Sequence, residues 1–258
     1  MNTKIIAISN QKGGVGKTTT AVNLSTALAA CGTKVLLLDF DPQGNASTGL
    51  GIKLNEREKN SYRLLTKQCT AIEAVKKTIV ENLFIIPAKI DLSAAEVELS
   101  ELKRREFRLQ DNISGLDGKF DYILIDCPPS LGLLTVNALT ASYSIIVPLQ
   151  CEFYALEGLS QLMNTVSIVK KSINENLRLQ GIVLTMYDSR NKLSEMVEQD
   201  VRSHFGEHVY NTVIPRNIRV SEAPSFGKPV LMYDLKCPGS QAYISLAAEI
   251  IKQESSIQ

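Results

Sequence analysis

Hydrophobic residues in this chain are arranged in two alternating patterns. Short, continuous apolar runs predict buried strands, and they occupy residues 4–9, 34–39, 83–87, 122–127, 143–149 and 179–186. Between most of these runs lie longer segments in which apolar residues recur every three or four positions, which is typical of helices with one buried face. The alternation predicts an α/β fold with a doubly wound, mostly parallel sheet flanked by helices.

The predicted helices differ in how clearly their ends are marked. Residues 18–31 precede Gly32, a residue type suited to a helix C-terminus. Residues 93–110 begin with Ser93 and carry Glu96 three positions later, which is the pattern of a capping box. Further helices are predicted at residues 62–65, 71–77, 131–142, 157–171, 193–205 and 240–252.

Three segments lack a clear periodicity. Residues 52–80 are polar, and we expect a surface excursion with short helices. Residues 212–214 are predicted to end a strand, and a long proline-rich loop follows them. Loops at strand ends carry function more often than the scaffold does, so this one is a candidate for ligand contact. Residues 254–258 are predicted to be a frayed polar tail.

Composition limits the class of protein. The chain has 258 residues, of which 44% are hydrophobic, so we expect one large domain over residues 1–258. The formal net charge of +1 favours no particular partner, and any nucleic-acid surface has to be a local patch. Five scattered cysteines without a C-x-x-C pair predict buried thiols in a reducing cytosol. No signal peptide and no apolar run approaching about 18 residues is apparent, so no membrane partner is expected.

Residues 9–20, SNQKGGVGKTTT, carry the strongest chemical signal in the chain. A strand, a glycine-rich turn and a helix that opens on Lys-Thr form a phosphate-binding loop. Glycines let backbone N–H groups turn inward, Lys17 can reach phosphate oxygens, and the Thr18 hydroxyl can hold Mg²⁺. The segment departs from G-x-x-x-x-G-K-[ST], because Gln11 stands where the first glycine would fall. The alternative is a glycine-rich turn that binds nothing.

Carboxylates end two of the predicted strands. Asp39 and Asp41 follow one strand, and Asp126 ends another. Open α/β sheets bind ligands at the carboxyl ends of their strands. Asp126 is therefore a candidate to bind Mg²⁺ through water, together with Thr18. The alternative for Asp39 and Asp41 is that they only cap a loop.

Four segments together resemble the deviant Walker A ATPases of the ParA/MinD superfamily, and within it the ParA/Soj-type partitioning ATPases. They are KGGVGKTTT from residue 12, DFDPQGN from residue 39, YILIDCPPSLG from residue 122 and IPRNIRVSEAP from residue 214. The resemblance covers nearly the whole chain. It implies a P-loop of the deviant type, Mg²⁺-dependent hydrolysis of ATP, and ATP and Mg²⁺ as cofactors.

The resemblance also implies roles for individual residues. A signature lysine of that family, here Lys12, crosses a dimer interface to the phosphates of the partner's ATP, and the loop lysine, here Lys17, holds phosphates in its own subunit. The second aspartate of D-x-D-P-Q-G-N, here Asp41, orients the attacking water, while Asp39 supports Lys17 or the metal. The implied ATP-binding set is Lys12, Gly13, Gly14, Val15, Gly16, Lys17, Thr18, Thr19, Asp41, Pro215 and Asn217, of which Pro215 and Asn217 lie along the adenine.

The implied activity is a cycle of DNA partitioning. ATP drives formation of a homodimer, the dimer binds DNA without sequence specificity, and a ParB-type partner stimulates hydrolysis. Arg190 and Arg219 match basic positions that bind DNA in relatives, and the expected location is cytoplasmic and nucleoid-associated. The chain starts at its first strand, so we expect no N-terminal extension of the kind that binds a specific operator. Judged from charge alone, Arg190 and Arg219 would be solvated loop residues without a role in DNA binding. Residues 103–108 form another basic run that could contact nucleic acid.

Three other functions stay open at this point. A MinD-like membrane-cycling ATPase needs a basic amphipathic C-terminus, but residues 241–258 contain one Lys, no Arg and two Glu. A redox ATPase similar to the nitrogenase iron protein needs cysteines near a dimer axis, and Cys127 is the nearest candidate. The third is a nucleotide-dependent regulator without a role in DNA segregation.

Overall fold

The computed structural model describes residues 3–255, which form a sheet of seven strands with helices on both faces. The strands are β1 (Lys4–Ile8), β2 (Val35–Asp39), β3 (Lys76–Lys77), β4 (Leu83–Ile86), β5 (Tyr122–Asp126), β6 (Ser144–Gln150) and β7 (Arg178–Thr185). Their order across the sheet is β3-β4-β2-β5-β1-β6-β7. Every neighbouring pair is parallel except β3 and β4. The doubly wound, mostly parallel fold predicted from the sequence is therefore confirmed.

Helices connect the strands and cover the sheet. Within residues 3–255 they are α1 (Lys17–Ala30), α2 (Asn45–Gly49), α3 (Ser61–Leu65), α4 (Ala71–Ala74), α5 (Leu92–Glu98), α6 (Arg108–Ile113), α7 (Leu133–Ala141), α8 (Ala155–Ser172), α9 (Lys192–Phe205), α10 (Ile218–Glu222), α11 (Val230–Tyr233) and α12 (Pro238–Ser255). Short 3₁₀ turns occupy Leu54–Glu56, Arg105–Phe107, Ser114–Leu116, Gly206–His208 and Ala223–Phe226. No helix in the described part of the chain has the length and apolar character needed to cross a membrane.

The alternation of side chains along the strands divides the core into two layers. Successive residues of a strand face opposite sides of a sheet, so a strand buried on both sides is apolar throughout. On β2, Leu36 and Leu38 belong to one apolar cluster, whereas Val35 and Leu37 belong to the other. Helices α7 and α8 contribute to the first cluster, and α1 and α12 contribute to the second.

Strand register brings the predicted site residues to one edge of the sheet. In the pairing of β5 with its two neighbours, Asp126 lies opposite Ile8 of β1 and opposite Asp39 of β2. The loop that follows β1 therefore begins beside two carboxylates. This edge is where a doubly wound sheet holds its ligand.

The helix predicted at residues 93–110 was wrong in its length and its cap. It breaks into α5 and α6, with Arg104 in the left-handed region at φ 57° between them. A tertiary partner supports the break, because the Asn137 side chain accepts from the Leu109 N–H and donates to the Arg105 carbonyl. Asp91 is the N-cap residue of α5, and its side chain makes no capping hydrogen bond.

The expected capping box is absent from this helix start. The Ser93 hydroxyl donates to the Ile90 carbonyl, and a Glu96 carboxylate oxygen accepts from the N–H of Leu134 at the start of α7. A local bond thus occupies the Ser93 hydroxyl, and a tertiary contact occupies Glu96, so the two residues do not form the predicted pair.

Three other local predictions needed correction. The helix predicted at 71–77 ends at Ala74, because residues 76–77 pair with β4. Residues 212–214 form no strand, although Tyr187 and Pro215 make an isolated parallel bridge. Of the predicted frayed tail, Glu254 lies in α12 with its carboxylate buried and bonded to Tyr122 Oη at 2.8 Å, and residues 256–258 lie outside the described residues.

Cysteine burial agrees with the sequence interpretation for three of five thiols. Cys127, Cys151 and Cys237 are buried, Cys69 is partly buried, and Cys31 is exposed. The remaining strand and helix predictions agree with the structure within a few residues at their ends, and Gly32 follows α1 in the left-handed region at φ 85°.

Candidate active site

The glycine-rich loop between β1 and α1 holds its shape through two left-handed glycines and one contact from a distant strand. Gly14 and Gly16 have φ values of 76° and 88°, a region that side chains with a Cβ rarely adopt. The Thr185 hydroxyl at the end of β7 donates to the Val15 carbonyl at 2.8 Å. No side chain caps the N-terminus of α1, and its first turn contains no acidic residue. The unpaired N–H groups of this helix are therefore available to an anion.

Lys17 places a buried cation within the loop. The residue is 7% exposed, and its Nζ donates to the Lys12 carbonyl at 2.9 Å. Burial lowers the pKa of Lys17, while the nearby charges of Asp126 and Asp41 act to raise it. An ammonium group held in this way can neutralise phosphate oxygens that enter the loop.

Asp39 is buried but well provided with hydrogen bonds. One carboxylate oxygen accepts from the Ser47 N–H at 2.8 Å and from the Ser47 hydroxyl at 2.6 Å. The other accepts from the Asp41 N–H at 3.4 Å. Burial raises the pKa of Asp39 to about 6, and the bonds from Ser47 oppose that rise. Asp39 thus supports the Asp41 loop and α2. Its support of Lys17 or of the metal stays a prediction.

Asp126 is the least satisfied group in the site. It is fully buried, and neither carboxylate oxygen has a hydrogen-bond partner. Burial raises the pKa of Asp126 well above its usual range, and the charge of Asp39 adds to the rise. The Thr18 hydroxyl and the Lys17 ammonium act in the opposite direction, but Thr18 does not reach hydrogen-bonding geometry.

This chemistry fits a hydrated magnesium ion. Mg²⁺ keeps several of its waters and is held through one or two carboxylates together with substrate phosphates. The described residues contain no preformed cluster of three or more His, Cys, Asp or Glu that could hold a metal by itself. Thr18 and Asp126 are the residues that would hold the ion, and phosphates would have to supply the other ligands.

Asp41 lies two residues after the end of β2, at the same edge of the sheet as Asp39 and Asp126. The residue is 8% exposed, its Oδ1 accepts from the Gln43 N–H at 2.9 Å, and its carbonyl accepts from the Gly44 N–H at 2.9 Å. The carboxylate is thereby fixed at the start of a tight turn. One oxygen accepts within the turn, which leaves the other oxygen available to orient a water.

Arg57 supports this turn from behind, and sequence reasoning missed it. It is 3% exposed, and its guanidinium donates to the carbonyls of Gly44, Ala88 and Ile52 and to the Thr48 hydroxyl at 2.7–3.3 Å. A Cβ on Gly44 would lie 2.6 Å from this group, so glycine is required there. Arg57 sits in the polar stretch 52–80, where no periodicity or motif distinguishes it from a solvated arginine.

The Lys12 side chain pairs with a residue outside the loop. Its Nζ forms an ion pair with the carboxylate of Glu152, a residue that follows β6 and that the sequence did not single out. Its backbone N–H donates to Asn10 Oδ1 at 3.1 Å. Gly13 beside it has no strained φ, and a Cβ built there meets no atom within 4 Å. Nothing in one subunit explains a glycine at position 13.

Pro215 and Asn217 lie in the loop that follows the bridge to Tyr187. Asn217 caps α10, since its side chain accepts from the Val220 N–H at 3.3 Å. Neither residue lines the cavity of about 280 Å³ beside the N-terminus of α1. That cavity includes Thr18, Thr19, Pro224 and Pro229, of which the last two were not predicted as ligand contacts.

Arg190 and Arg219 lie on the surface and pair with carboxylates. The Arg190 side chain is 88% exposed and binds Asp188 at 2.9 Å, which lowers the pKa of Asp188 to about 2. Arg219 is 52% exposed and binds Glu222 at 2.9 Å. The structure therefore brings together the loop, Lys17 and the aspartates at one edge, and it leaves these two arginines outside that group.

Comparison with known proteins gives consistent matches over the whole chain. The AAA domain family matches residues 3–179. The chromosome partitioning protein ParA of Caulobacter vibrioides is 59% identical over 99% of this chain and 96% of its own length. The sporulation initiation inhibitor protein Soj of Bacillus subtilis is 54% identical over 96% of this chain and 98% of its own. A solved cobyrinic acid a,c-diamide synthase from Mycobacterium smegmatis, with bound ADP and magnesium, has a TM-score of 0.87 and 37% identity, covering 99% of this chain and 97% of that one.

The unpaired Asp126 leads to a prediction about the ligand-free protein. We expect Asp126→Asn, measured in the presence of a chelator, to raise the melting temperature by at least about 2 °C at pH 7.5, because it replaces a carboxyl whose ionisation is disfavoured in the fold but not in the unfolded chain. The folded-state pKa of this carboxyl is raised, so the group destabilises the fold only above the unfolded pKa of about 4 and increasingly as pH rises. The gain should therefore grow with pH in thermal unfolding from pH 4 to 8.

The control for this measurement is Asp121→Asn, which removes an exposed carboxylate just before the same strand. A variant at position 126 that melts below the parent at neutral pH, or whose difference from the parent does not change with pH, would contradict the charge assignment.

Proposed function

This chain belongs to the ParA and Soj family of chromosome partitioning ATPases, and we propose that it is itself a DNA-partitioning ATPase that binds and hydrolyses ATP with Mg²⁺. The observation that carries the proposal is the pairing of an uncapped helix N-terminus and buried Lys17 with an unpartnered, buried Asp126. The first two suit phosphates, and the third suits the metal that accompanies them.

In the proposed site each residue has a distinct role. Backbone N–H groups from Gly13 to Thr19 hold phosphate oxygens, and Lys17 neutralises their charge. Thr18 and, through water, Asp126 would hold Mg²⁺, which would supply positive charge at the phosphates. Asp41 orients the attacking water, and Arg57 keeps the Asp41 turn in place. Pro215 and Asn217 are proposed to lie along the adenine.

We expect Asp41→Ala to abolish hydrolysis while leaving ATP binding largely intact. Without the carboxylate no group orients the attacking water, so bound ATP is not hydrolysed and the protein stays in its ATP-bound state. On size exclusion with ATP the variant should accumulate as a dimer. Asp188→Ala, which removes an aspartate outside the nucleotide site, is the control. A parental turnover rate in Asp41→Ala would rule out the proposed role.

The signature lysine suggests how two subunits complete one site. The Lys12–Glu152 pair has side chains that are 41% and 43% exposed, and ion pairs of this kind contribute only about 0–1 kcal/mol. The phosphates of a second subunit's ATP can therefore displace Glu152. Open space around Gly13 leaves room for that subunit to approach.

We expect Gly13→Val to bind ATP as a monomer, because a branched side chain would occupy the space that the partner needs. Gly115→Val is a matched control, since Gly115 likewise has no strained φ and no neighbour within 4 Å of its Cβ position. Light scattering with ATP should show a dimer for the parent and the control. A normal dimer of Gly13→Val would defeat the interface assignment.

Lys12→Ala alone should lose ATP-linked dimerisation and hydrolysis. Mixed with Asp41→Ala chains it should regain turnover, up to roughly one quarter of the parental rate, because half of randomly formed dimers would contain one complete site. Absence of any regained turnover, in a mixture shown to form mixed dimers, would place the action of Lys12 within its own subunit.

The proposed DNA surface consists of Arg190 and Arg219. Each is held in a solvent-exposed pair, which DNA phosphates can replace at little cost. A dimer presents each arginine twice, so weak contacts combine into a bivalent site. Binding should therefore require ATP, and the test is co-sedimentation with DNA in ATP, in ADP and without nucleotide. In the cell we propose nucleoid association and stimulation of hydrolysis by a ParB-type partner.

We expect Arg190→Ala and Arg219→Ala, in an Asp41→Ala background that keeps the dimer, to weaken DNA binding similarly for all sequences. Affinity falls as salt rises, and each mutation should make the slope of log affinity against log salt less steep by about two per dimer. Arg63→Ala, which removes an arginine from another exposed ion pair, is the control. Unchanged affinity and slope in the double variant would move the DNA surface elsewhere, with residues 103–108 the next candidate.

A further inference from the structure

The peptide between Val15 and Gly16 is fixed by one hydrogen bond from outside the glycine-rich loop. Within the described chain, the backbone of residues 13–16 takes part in two hydrogen bonds. One is the first helical bond of α1, in which the Thr20 N–H donates to the Gly16 carbonyl at 2.8 Å. The other comes from the Thr185 hydroxyl, which donates to the Val15 carbonyl at 2.8 Å although Thr185 lies 170 positions away in the sequence.

The direction of the Val15 carbonyl sets the direction of the Gly16 N–H. The C=O and the N–H of a trans peptide lie in one plane and point to opposite sides. Because the carbonyl points to Thr185, the Gly16 N–H points away from that side chain. This N–H makes no hydrogen bond to any described residue. It is therefore open to an anion, together with the other unpaired N–H groups at the start of α1.

Gly16 cannot hold this peptide in place by itself. Turning a peptide over changes ψ of the residue before it and φ of the residue after it. Gly16 has a φ of 88°, a value that favours glycine, and glycine adopts the opposite sign of φ about as readily. The glycine that the turn needs thus removes the local resistance to rotation, and a bond from outside the loop has to supply it.

Thr185 is itself held on two sides. It is 2% exposed and, as the last residue of β7, it lies opposite Gln150 of β6. The Ile214 N–H donates to the Leu184 carbonyl at 2.8 Å, and the Tyr187 N–H donates to the Ile214 carbonyl at 3.0 Å. A second segment is therefore bonded to the chain on both sides of Thr185. The hydroxyl is presented to the loop from a rigid strand end.

We infer that Thr185 is a positioning residue for nucleotide binding, whose hydroxyl keeps the Gly16 N–H turned toward the phosphates. Without that bond the peptide between Val15 and Gly16 turns over in part of the molecules, and a carbonyl oxygen then faces the phosphate oxygens and repels them. Thr185 acts through the Val15 carbonyl. The inference rests on the proposed function, because it takes the loop to be the site of the ATP phosphates.

The test is the affinity for ATP and for ADP, measured by calorimetry with Mg²⁺ on variants shown to be folded by thermal unfolding. Thr185→Val keeps the branched shape and removes the hydroxyl, so we expect the affinity for both nucleotides to fall at least about fivefold. The same factor is expected for both, because backbone N–H groups of such loops hold the α- and β-phosphates, which ADP also carries. Thr185→Ser keeps the hydroxyl and should stay within about twofold of the parent.

Thr140→Val is the matched control. Thr140 is also buried, at 1% exposure, and its hydroxyl donates to the Val136 carbonyl at 2.7 Å within α7. The same chemical change at this position should leave both affinities at the parental level. Thr185→Ala removes the hydroxyl by a different substitution and should show the same loss, so it takes the place of Thr185→Val if that variant does not fold.

Parental affinity for both nucleotides in the folded hydroxyl-free variant would overturn the inference. An equal loss in Thr185→Ser would also overturn it, because the effect would then belong to the methyl group, which lies 3.8 Å from the position of a Cβ on Gly16. An equal loss in Thr140→Val would show only a general weakening of the fold, which likewise contradicts the inference.

Lys17→Ala separates this inference from the proposed function. Weaker nucleotide binding in Lys17→Ala, combined with parental binding in Thr185→Val, would remove the role of Thr185 and leave the phosphate site in place. Parental binding in both variants would remove the phosphate site as well.

Discussion

Three buried aspartates and one buried lysine meet where β1, β2 and β5 end, and this imbalance of charge determines the rest of the active edge. Parallel pairing places Asp39 directly opposite Asp126, with Asp41 two residues further along the chain. Ser47 hydrogen-bonds Asp39, but nothing in the described chain hydrogen-bonds the oxygens of Asp126. Burial costs a carboxylate more than Lys17 alone can offset. The ligand-free site is therefore incomplete, and a magnesium ion brought in with phosphates would complete it.

The surrounding structure preserves this imbalance without relieving it. Arg57 lies close enough to Asp39 for their charges to interact, yet its guanidinium donates to the carbonyls of Gly44, Ala88 and Ile52 and to the Thr48 hydroxyl. Lys12 is a second available cation, but it pairs with Glu152. In one subunit the hydrogen bonds of these two extra cations thus go to groups other than the aspartates. In the proposed cycle the missing charge comes from Mg²⁺ and from the partner's lysine, which makes binding, dimerisation and hydrolysis depend on one another.

The sequence predicted the parts of the fold and site that depend on local pattern. Continuous apolar runs gave the strands, and because parallel strands end at a common edge, Asp39 and Asp126 could be expected to lie together. The failures arose where distant residues decide the structure. Asn137 supports the break between α5 and α6, Arg57 acts through carbonyls from three segments, and Glu152 meets Lys12 across about 140 positions of the chain. None of these contacts leaves a signal in the sequence near either partner.

The most direct test of the account is the affinity for ATP in the presence of Mg²⁺, measured by calorimetry on the parent and on Lys17→Ala. The variant removes the one buried cation of the loop while leaving Gly14, Gly16 and the uncapped helix start unchanged. The account predicts that affinity falls at least tenfold, equivalent to about 1.4 kcal/mol, in a variant that remains folded. Equal affinity in the folded variant would mean that this loop does not hold the phosphates, and the assignment of the site would be wrong.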